Sequence, residues 1–401
     1  MSRTTIFTNT VQVVTCADDA VHEKAAVVVR DGRVTGVIPA ERASETYSGA
    51  AVVDCEGGVL TPGFVDSHTH AVFGGTRAAE HEMRARGLDY MEIARQGGGI
   101  NASVGDVRRR SEAELIDLAL PRLYQMAQLG TTTVEIKSGY GLDTETELKL
   151  LRVIRALSER VPLRIIPTFL GAHDVPLEYR DRRADYVDLI VREMIPAVAA
   201  ERLAVFCDVF MEPGAFTRVE TEQILQAARA HGLQLKLHAD EFANSGAAEL
   251  AAELQAASAD HLGAISEAGI QALCNSTTVA TLLPATLFFL GKTQYAPARR
   301  LLDGGATVAL ATDYNPGTAP SGSMPLVLTM ACSQMRMTPL EALTAATAGG
   351  ARALRLAEVG TISAGAHADL VLWPVSDFRE IPYHFGAPPV AGVWLGGERV
   401  F

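Results

Sequence analysis

Residues 63–70 read GFVDSHTH, a short apolar run (Phe64-Val65) that meets Asp66 and then two histidines two residues apart. On an extended chain, residues i and i+2 project to one side, so His68 and His70 present two imidazoles to one point. Similar runs follow: TTTVEIKS from Thr131, LRIIPTFLGAH from Leu163, LAVFCDVF from Leu203 and LQLKLHAD from Leu233. SADHL from Ser258, TVATLLP from Thr278 and TVALATD from Thr307 bring the total to eight. Between them lie segments of helical period, such as ELIDLALPRLYQMAQLG and VETEQILQAARAHG, which close on a glycine, a common helix stop. Strands alternating with helices imply parallel βα units, and eight such units imply an α/β fold, a closed (β/α)8 barrel of TIM type. A doubly wound open sheet is the alternative.

The two ends read differently. VQVVT and AAVVVRDGRVTGVI near the start alternate apolar and polar residues, with Asp31-Gly32 as a hairpin signal. ADLVLW (Ala368 to Trp373) and VAGVWLGGERVF (Val390 to Phe401), with its Gly-Gly turn, do the same near the finish. Neither end carries enough apolar surface for its own core. They are expected to join as one small β-sandwich, residues 1–60 plus 361–401, attached to a barrel of residues 61–360. Two independent edge hairpins are the alternative.

The 401 residues carry a formal charge of −12, which disfavours a nucleic-acid partner. Five scattered cysteines form no CxxC pair, as expected in a reducing compartment. The start, MSRTTIFTNTVQVV, lacks the apolar stretch of a signal peptide. The most apolar run, Val279 to Leu290, is broken by Thr and Pro and falls short of the ~18 residues a membrane span needs. A soluble cytoplasmic protein is expected, with no membrane partner. TLFFL within that run is expected to be core. QGGGI (Gln96 to Ile100) lacks the Lys-Ser/Thr of a phosphate loop and reads as a loop near the pocket.

In a (β/α)8 barrel the chemistry collects where strands end. His68 and His70 close the first run, His173 the third, His238 the fifth, His261 the sixth and Asp313 the eighth. Any one of them is unremarkable at a strand end; their convergence on one rim is not. His68, His70, His238 and Asp313 form a three-nitrogen, one-oxygen set suited to zinc or iron. Asp313 can also accept the proton of an activated water, with His261 steering Asp313 or polarising a substrate. Glu241 in HADEF is a candidate general acid or base, or else a first-turn acid favoured by the helix dipole; Asp240 beside it fits the dipole reading better.

At this point the sequence resembles a known family. DSHTHAVFGGTRAAE, VEIKSGYGL, TFLGAHDVP, LHADEF, SADHL and ATDYNPGTAPSGSMPL are similar to the motifs of the amidohydrolase superfamily, in the form found in imidazolonepropionases. The resemblance spans nearly the whole chain. It implies hydrolysis of 4-imidazolone-5-propanoate to N-formimidoyl-glutamate with one metal ion, zinc or iron, per subunit. One ion suits CDVFMEPG, where two-metal relatives keep a bridging lysine. The resemblance also implies a small-molecule substrate contacted by Arg77, Tyr140, His173 and Glu241, with Asn315, Gly317 and Thr318 in a polar loop beside it, and a homodimer. Arg77 is suited to the propionate tail. Tyr90 is a further candidate for the tail. Arg84, Arg86 and Arg108 to Arg110 read as surface arginines, and Lys137 as an interior ion pair with Glu135 or a substrate contact. The rival readings are a deaminase of the same superfamily and a catalytically silent metal-binding or ligand-sensing protein.

Overall fold

The computed structural model describes residues 3–401 apart from 19, 89–91, 94–96 and 386–388. Tyr90 and Gln96 lie outside the described residues.

Eight parallel strands form one sheet: β1 Phe64–Asp66, β2 Thr131–Lys137, β3 Arg164–Ala172, β4 Phe206–Met211, β5 Gln234–Ala239, β6 Ser258–His261, β7 Val279–Leu282 and β8 Val308–Leu310. Each pairs with the next in sequence order. The ring closes just past the ends of β8 and β1. There the Asp313 amide donates to the His68 carbonyl at 3.0 Å and the His70 amide to the Tyr314 carbonyl at 2.9 Å. Thr69 and Tyr314 form a parallel bridge at the same place. The fold is therefore the closed barrel rather than the open sheet.

The pattern of β2 explains how such strands are built. All seven residues of TTTVEIK are buried. Val134 and Ile136 join the main hydrophobic cluster, while Glu135 and Lys137, two apart, share the other face. The surrounding helices start where the sequence supplies caps. Ser111 with Glu114, Thr217 with Glu220 and Thr338 with Glu341 each close a capping box.

Both chain ends build the second unit. Arg33–Pro39, Ala25–Arg30, Thr4–Thr8 and Ala51–Asp54 make a four-stranded sheet. A six-stranded sheet runs Glu398–Arg399, Gly392–Leu395, Leu370–Trp373, Val59–Pro62, Gln12–Val14 and Val21–Glu23, so strands from the finish pair directly with strands from the start. Asp31 and Gly32 have φ of 50° and 79°, and Gly396 and Gly397 have φ of 56° and 77°. Two consecutive left-handed residues are what a tight two-residue hairpin of matching twist requires. Phe7 meets Trp394 edge to face at 5.2 Å, one residue from each end of the chain in a shared core.

Val279 to Leu290 is β7 followed by the helix Pro284–Phe289. TLFFL departs from expectation: Leu287 is buried, but Phe288 is 55% exposed, because the short helix turns that face outward. No described helix is long and apolar enough to cross a membrane.

Trp373 joins the two units. It is fully buried, its ring lies 5.7 Å from Phe64 of β1, and its indole N–H donates to the Thr61 hydroxyl at 2.9 Å. Trp373→Ala is expected to cost about 3–5 kcal/mol of stability through the cavity it leaves. Urea unfolding followed by circular dichroism checks this, and an unchanged midpoint would place the junction elsewhere.

Candidate active site

His68 and His70 leave β1 on an extended segment bonded on both sides: to Tyr314 and Asp313 as described, and to the Lys137 amide, which donates to the Thr69 carbonyl at 2.9 Å. Both side chains point inward. His68 Nε2 and His70 Nε2 each lie 3.5 Å from Asp313 Oδ1. His238 of β5 stands with its ring centre 4.5 Å from that of His68, and His261 of β6 stands 5.2 Å from it. His173, beyond β3, stacks on His70 at 5.0 Å and 18° and has Nδ1 2.9 Å from the Gly139 carbonyl. His261 and Asp313 hold left-handed backbone, φ 84° and 54°. For non-glycine residues this is uncommon and is typical of side chains aimed into a site.

These groups suit a metal ion on the structure's own terms. The Nε2 atoms of His68, His238 and His261 are buried without a hydrogen-bond partner, and His70 turns its own Nε2 toward Asp313. A buried polar atom left bare is costly, so lone pairs converging without partners call for a cation. Donor atoms of His68, His70 and Asp313 lie within 4.8 Å of one another, as do those of His68, His238 and His261, and those of His70, His173 and His238. The four residues expected from the sequence are thus brought together, with His173 and His261 equally near.

Burial drives the protonation states. It pushes His68, His70 and His261 well below the usual imidazole range and His173 down to about 3, so all four are neutral ring bases. It raises Asp313 to about 6, opposed by the Thr286 hydroxyl, which donates to Oδ2 at 2.6 Å. It lifts Glu241 well above the usual carboxylate range, helped by Asp313 and Glu212. Glu241 Oε1 lies 3.6 Å from His261 Nδ1.

Beneath the histidines lies a buried layer of charge. Lys137 Nζ sits 2.7 Å from Asp208 and 2.9 Å from Glu135, and Lys236 Nζ sits 3.0 Å from Glu135 and 2.7 Å from the Ser67 carbonyl. Burial depresses the Lys137 ammonium, but Asp208, Glu135 and Asp260 outweigh it and hold the group above its ordinary value. Lys137 is thus an interior ion-pair residue, wider in reach than the single Glu135 partner read from sequence. Glu135, Asp208, Lys236 and Asp260 were not singled out for this layer by sequence reasoning, apart from the Glu135 pair. The available signal is spacing: Lys236 lies two before His238 and Glu135 two before Lys137, charged residues on the inward face of otherwise apolar strands.

The proposed substrate residues sit on loops moulded by buried carboxylates. Glu147 accepts amides from Gly139, Gly141 and Leu142 at 2.7–3.2 Å and so folds the loop that carries buried Tyr140. Arg108 donates to the Gly141 carbonyl of the same loop. Glu212 accepts amides from Glu241, Phe242 and Ala243. Arg77 Nε donates to Glu80 at 3.0 Å, and the other Glu80 oxygen accepts the Gly99 amide. Gly317 packs so tightly on the Arg77 guanidinium that a Cβ there would fall 2.2 Å from Nη2. Asn315 spends its side chain on its own loop, accepting amides from Gly317 and Thr318 and donating to the Asp313 carbonyl. Asp240 accepts amides from Ser245, Ala247 and Ala248 at a helix start, in keeping with the dipole reading.

The arginines need correction. Arg86 and Arg109 are exposed as expected, but Arg84 is half-buried and donates to the Gly317 carbonyl at 3.0 Å. Arg108 and Arg110 are also partly buried, tied to Asp143 and Asp106 respectively. A distant loop carbonyl draws in Arg84 and distant Asp143 draws in Arg108, while Arg110 folds back on Asp106 one helical turn before it.

The amidohydrolase family model matches residues 59–400. An imidazolonepropionase of Symbiobacterium thermophilum is 49% identical over 388 residues, 96% of this chain and 91% of that protein. One of Myxococcus xanthus is 48% identical over 375 residues, 92% and 89% of the two chains. Among solved structures, a zinc-bound adenosine deaminase of Xanthomonas campestris superposes with a TM-score of 0.74 at 19% identity, covering 98% of this chain and 92% of that one. That likeness is one of fold. The strand-end histidines, the closed barrel and these matches together show that the chain belongs to the amidohydrolase family, in its imidazolonepropionase branch.

Proposed function

We propose that this enzyme hydrolyses the ring amide of 4-imidazolone-5-propanoate to N-formimidoyl-L-glutamate, a step of histidine degradation. The observation that carries the reading is the convergence of partnerless imidazole nitrogens with Asp313 and a raised Glu241 on one barrel rim. In this reading His68, His70, His238 and Asp313 hold one zinc or iron ion, which when bound lowers the pKa of a water to about 7 and makes hydroxide available at neutral pH.

The chain's own groups do the rest. Asp313 takes the proton of the attacking water. Neutral His261 offers a hydrogen bond to the ring carbonyl, while His173, whose Nδ1–H goes to the Gly139 carbonyl, presents Nε2 as an acceptor to a ring N–H. The water oxygen bonds to that carbon, the ring C–N bond breaks, and Glu241, protonated by virtue of its burial, delivers a proton to the departing nitrogen. Arg77, held at Nε by Glu80, keeps its two Nη groups for the propionate tail, with Tyr140 alongside. Asn315, Gly317 and Thr318 shape the wall against Arg77. The small-molecule substrate, a homodimeric assembly and a cytoplasmic setting complete the proposal.

Three outcomes test it. Incubation with freshly generated imidazolone propanoate gives N-formimidoyl-glutamate by mass, and removing metal with a chelator stops turnover; turnover of guanine or cytosine instead would point to a deaminase. Arg77→Ala lowers kcat/KM by roughly ten- to a hundredfold, the value of a charged hydrogen bond of about 1.5–3 kcal/mol, mostly through KM. Glu241→Gln lowers kcat by about 10²- to 10⁴-fold with metal content intact. Near-normal turnover in that variant would remove Glu241 from the proton transfer.

A further inference from the structure

We infer that Lys137 is a positioning residue, joining Asp208 and Asp260 into one clamp that sets the orientation of His238 and His68 from behind. The inference rests on the proposed role of these histidines as metal ligands. Its basis is a pair of shared atoms. Asp260 Oδ2 lies 2.7 Å from His68 Nδ1 and 3.7 Å from Lys137 Nζ. Asp208 Oδ2 lies 3.0 Å from His238 Nδ1 and 2.7 Å from Lys137 Nζ. Each carboxylate oxygen thus stands between the one ammonium and an imidazole.

The geometry has a definite chemical consequence. A carboxylate only accepts, so an imidazole that faces one through Nδ1 carries its hydrogen there and leaves Nε2 as a bare lone pair. The Nε2 atoms of both His68 and His238 are buried and without partners. The contact to His68 is a full hydrogen bond; that to His238 is an ion-pair approach off hydrogen-bond alignment, with Asp208 Oδ1 also accepting the His238 amide at 3.1 Å. Lysine suits the central position because its three donors face three carboxylates, Glu135, Asp208 and Asp260, all of them fully buried like Lys137 itself. Lys236 reaches Glu135 and Asp260. Among these contacts Lys137 alone joins the two carboxylates that back the imidazoles. An apolar residue in its place would leave the two carboxylates to repel and swing. An amide at 260 could turn its NH2 toward Nδ1 and reverse the His68 tautomer.

The test compares the full-length wild type with Lys137→Met and Asp260→Asn. Zn²⁺ dissociation constants are measured by chelator competition, and imidazole tautomers by long-range ¹H–¹⁵N spectra of histidine-labelled protein. Wild type is expected to hold one Zn²⁺ and to show Nδ1–H on His68 and His238. Both variants are expected to bind Zn²⁺ about 10- to 100-fold more weakly, with altered tautomer signals. Should Lys137→Met fail to fold, Asp260→Asn carries the comparison. A folded variant with wild-type affinity and wild-type tautomers overturns the clamp and leaves a purely structural ion cluster. Wild type that binds no Zn²⁺ stoichiometrically, yet shows Nδ1–H on both rings, refutes the metal reading and spares the clamp.

Discussion

Closure of the sheet on itself is the constraint from which the site follows. A parallel sheet buries both faces, and here it leaves no open edge because the first strand finds the eighth. It does so through the backbone of residues 68–70 against that of 313–314, and these are the residues whose side chains converge. The bonds that complete the ring fix the heights of His68, His70 and Asp313 relative to one another. A loop-borne cluster would need other means to hold three donors so close, whereas here register does it.

The interior beneath the rim is unusual for a barrel. Layers of branched apolar side chains commonly fill this space. Two lysines and three carboxylates occupy part of it, all fully buried. Such burial is tolerable only with close pairing, which the 2.7–3.0 Å contacts supply. The loops above repeat the device in miniature. Glu147, Glu212 and Glu80 each collect backbone amides and so hold Tyr140, Glu241 and Arg77 on frames of hydrogen bonds.

Much of this was legible in the sequence. The eight runs stand out because short β-branched and apolar stretches recur between segments of helical period, and the histidines because they fall at the same end of those runs. The paired hairpins announced themselves as Asp31-Gly32 and Gly396-Gly397, where left-handed backbone is needed. The underlying partners were not legible. His68 and Asp260 are 192 residues apart and meet only because of how six strands align. Arg84 likewise could not be distinguished from its exposed neighbours, since its partner is a carbonyl 233 residues away. Phe288 misled because a six-residue helix has too few turns for its outward face to show in the pattern.

The pairing of Thr61 with Trp373 spans 312 positions of chain. A chain that grows from its N-terminus can pair β1 with β2 early, but Trp373, whose ring lies against Phe64, follows all eight barrel strands. Local helices and neighbouring strands can form during that interval, but the six-stranded sheet stays open until Leu370–Trp373 pairs with Val59–Pro62. The two units are therefore joined by a contact whose loop-closure entropy is spread over most of the chain.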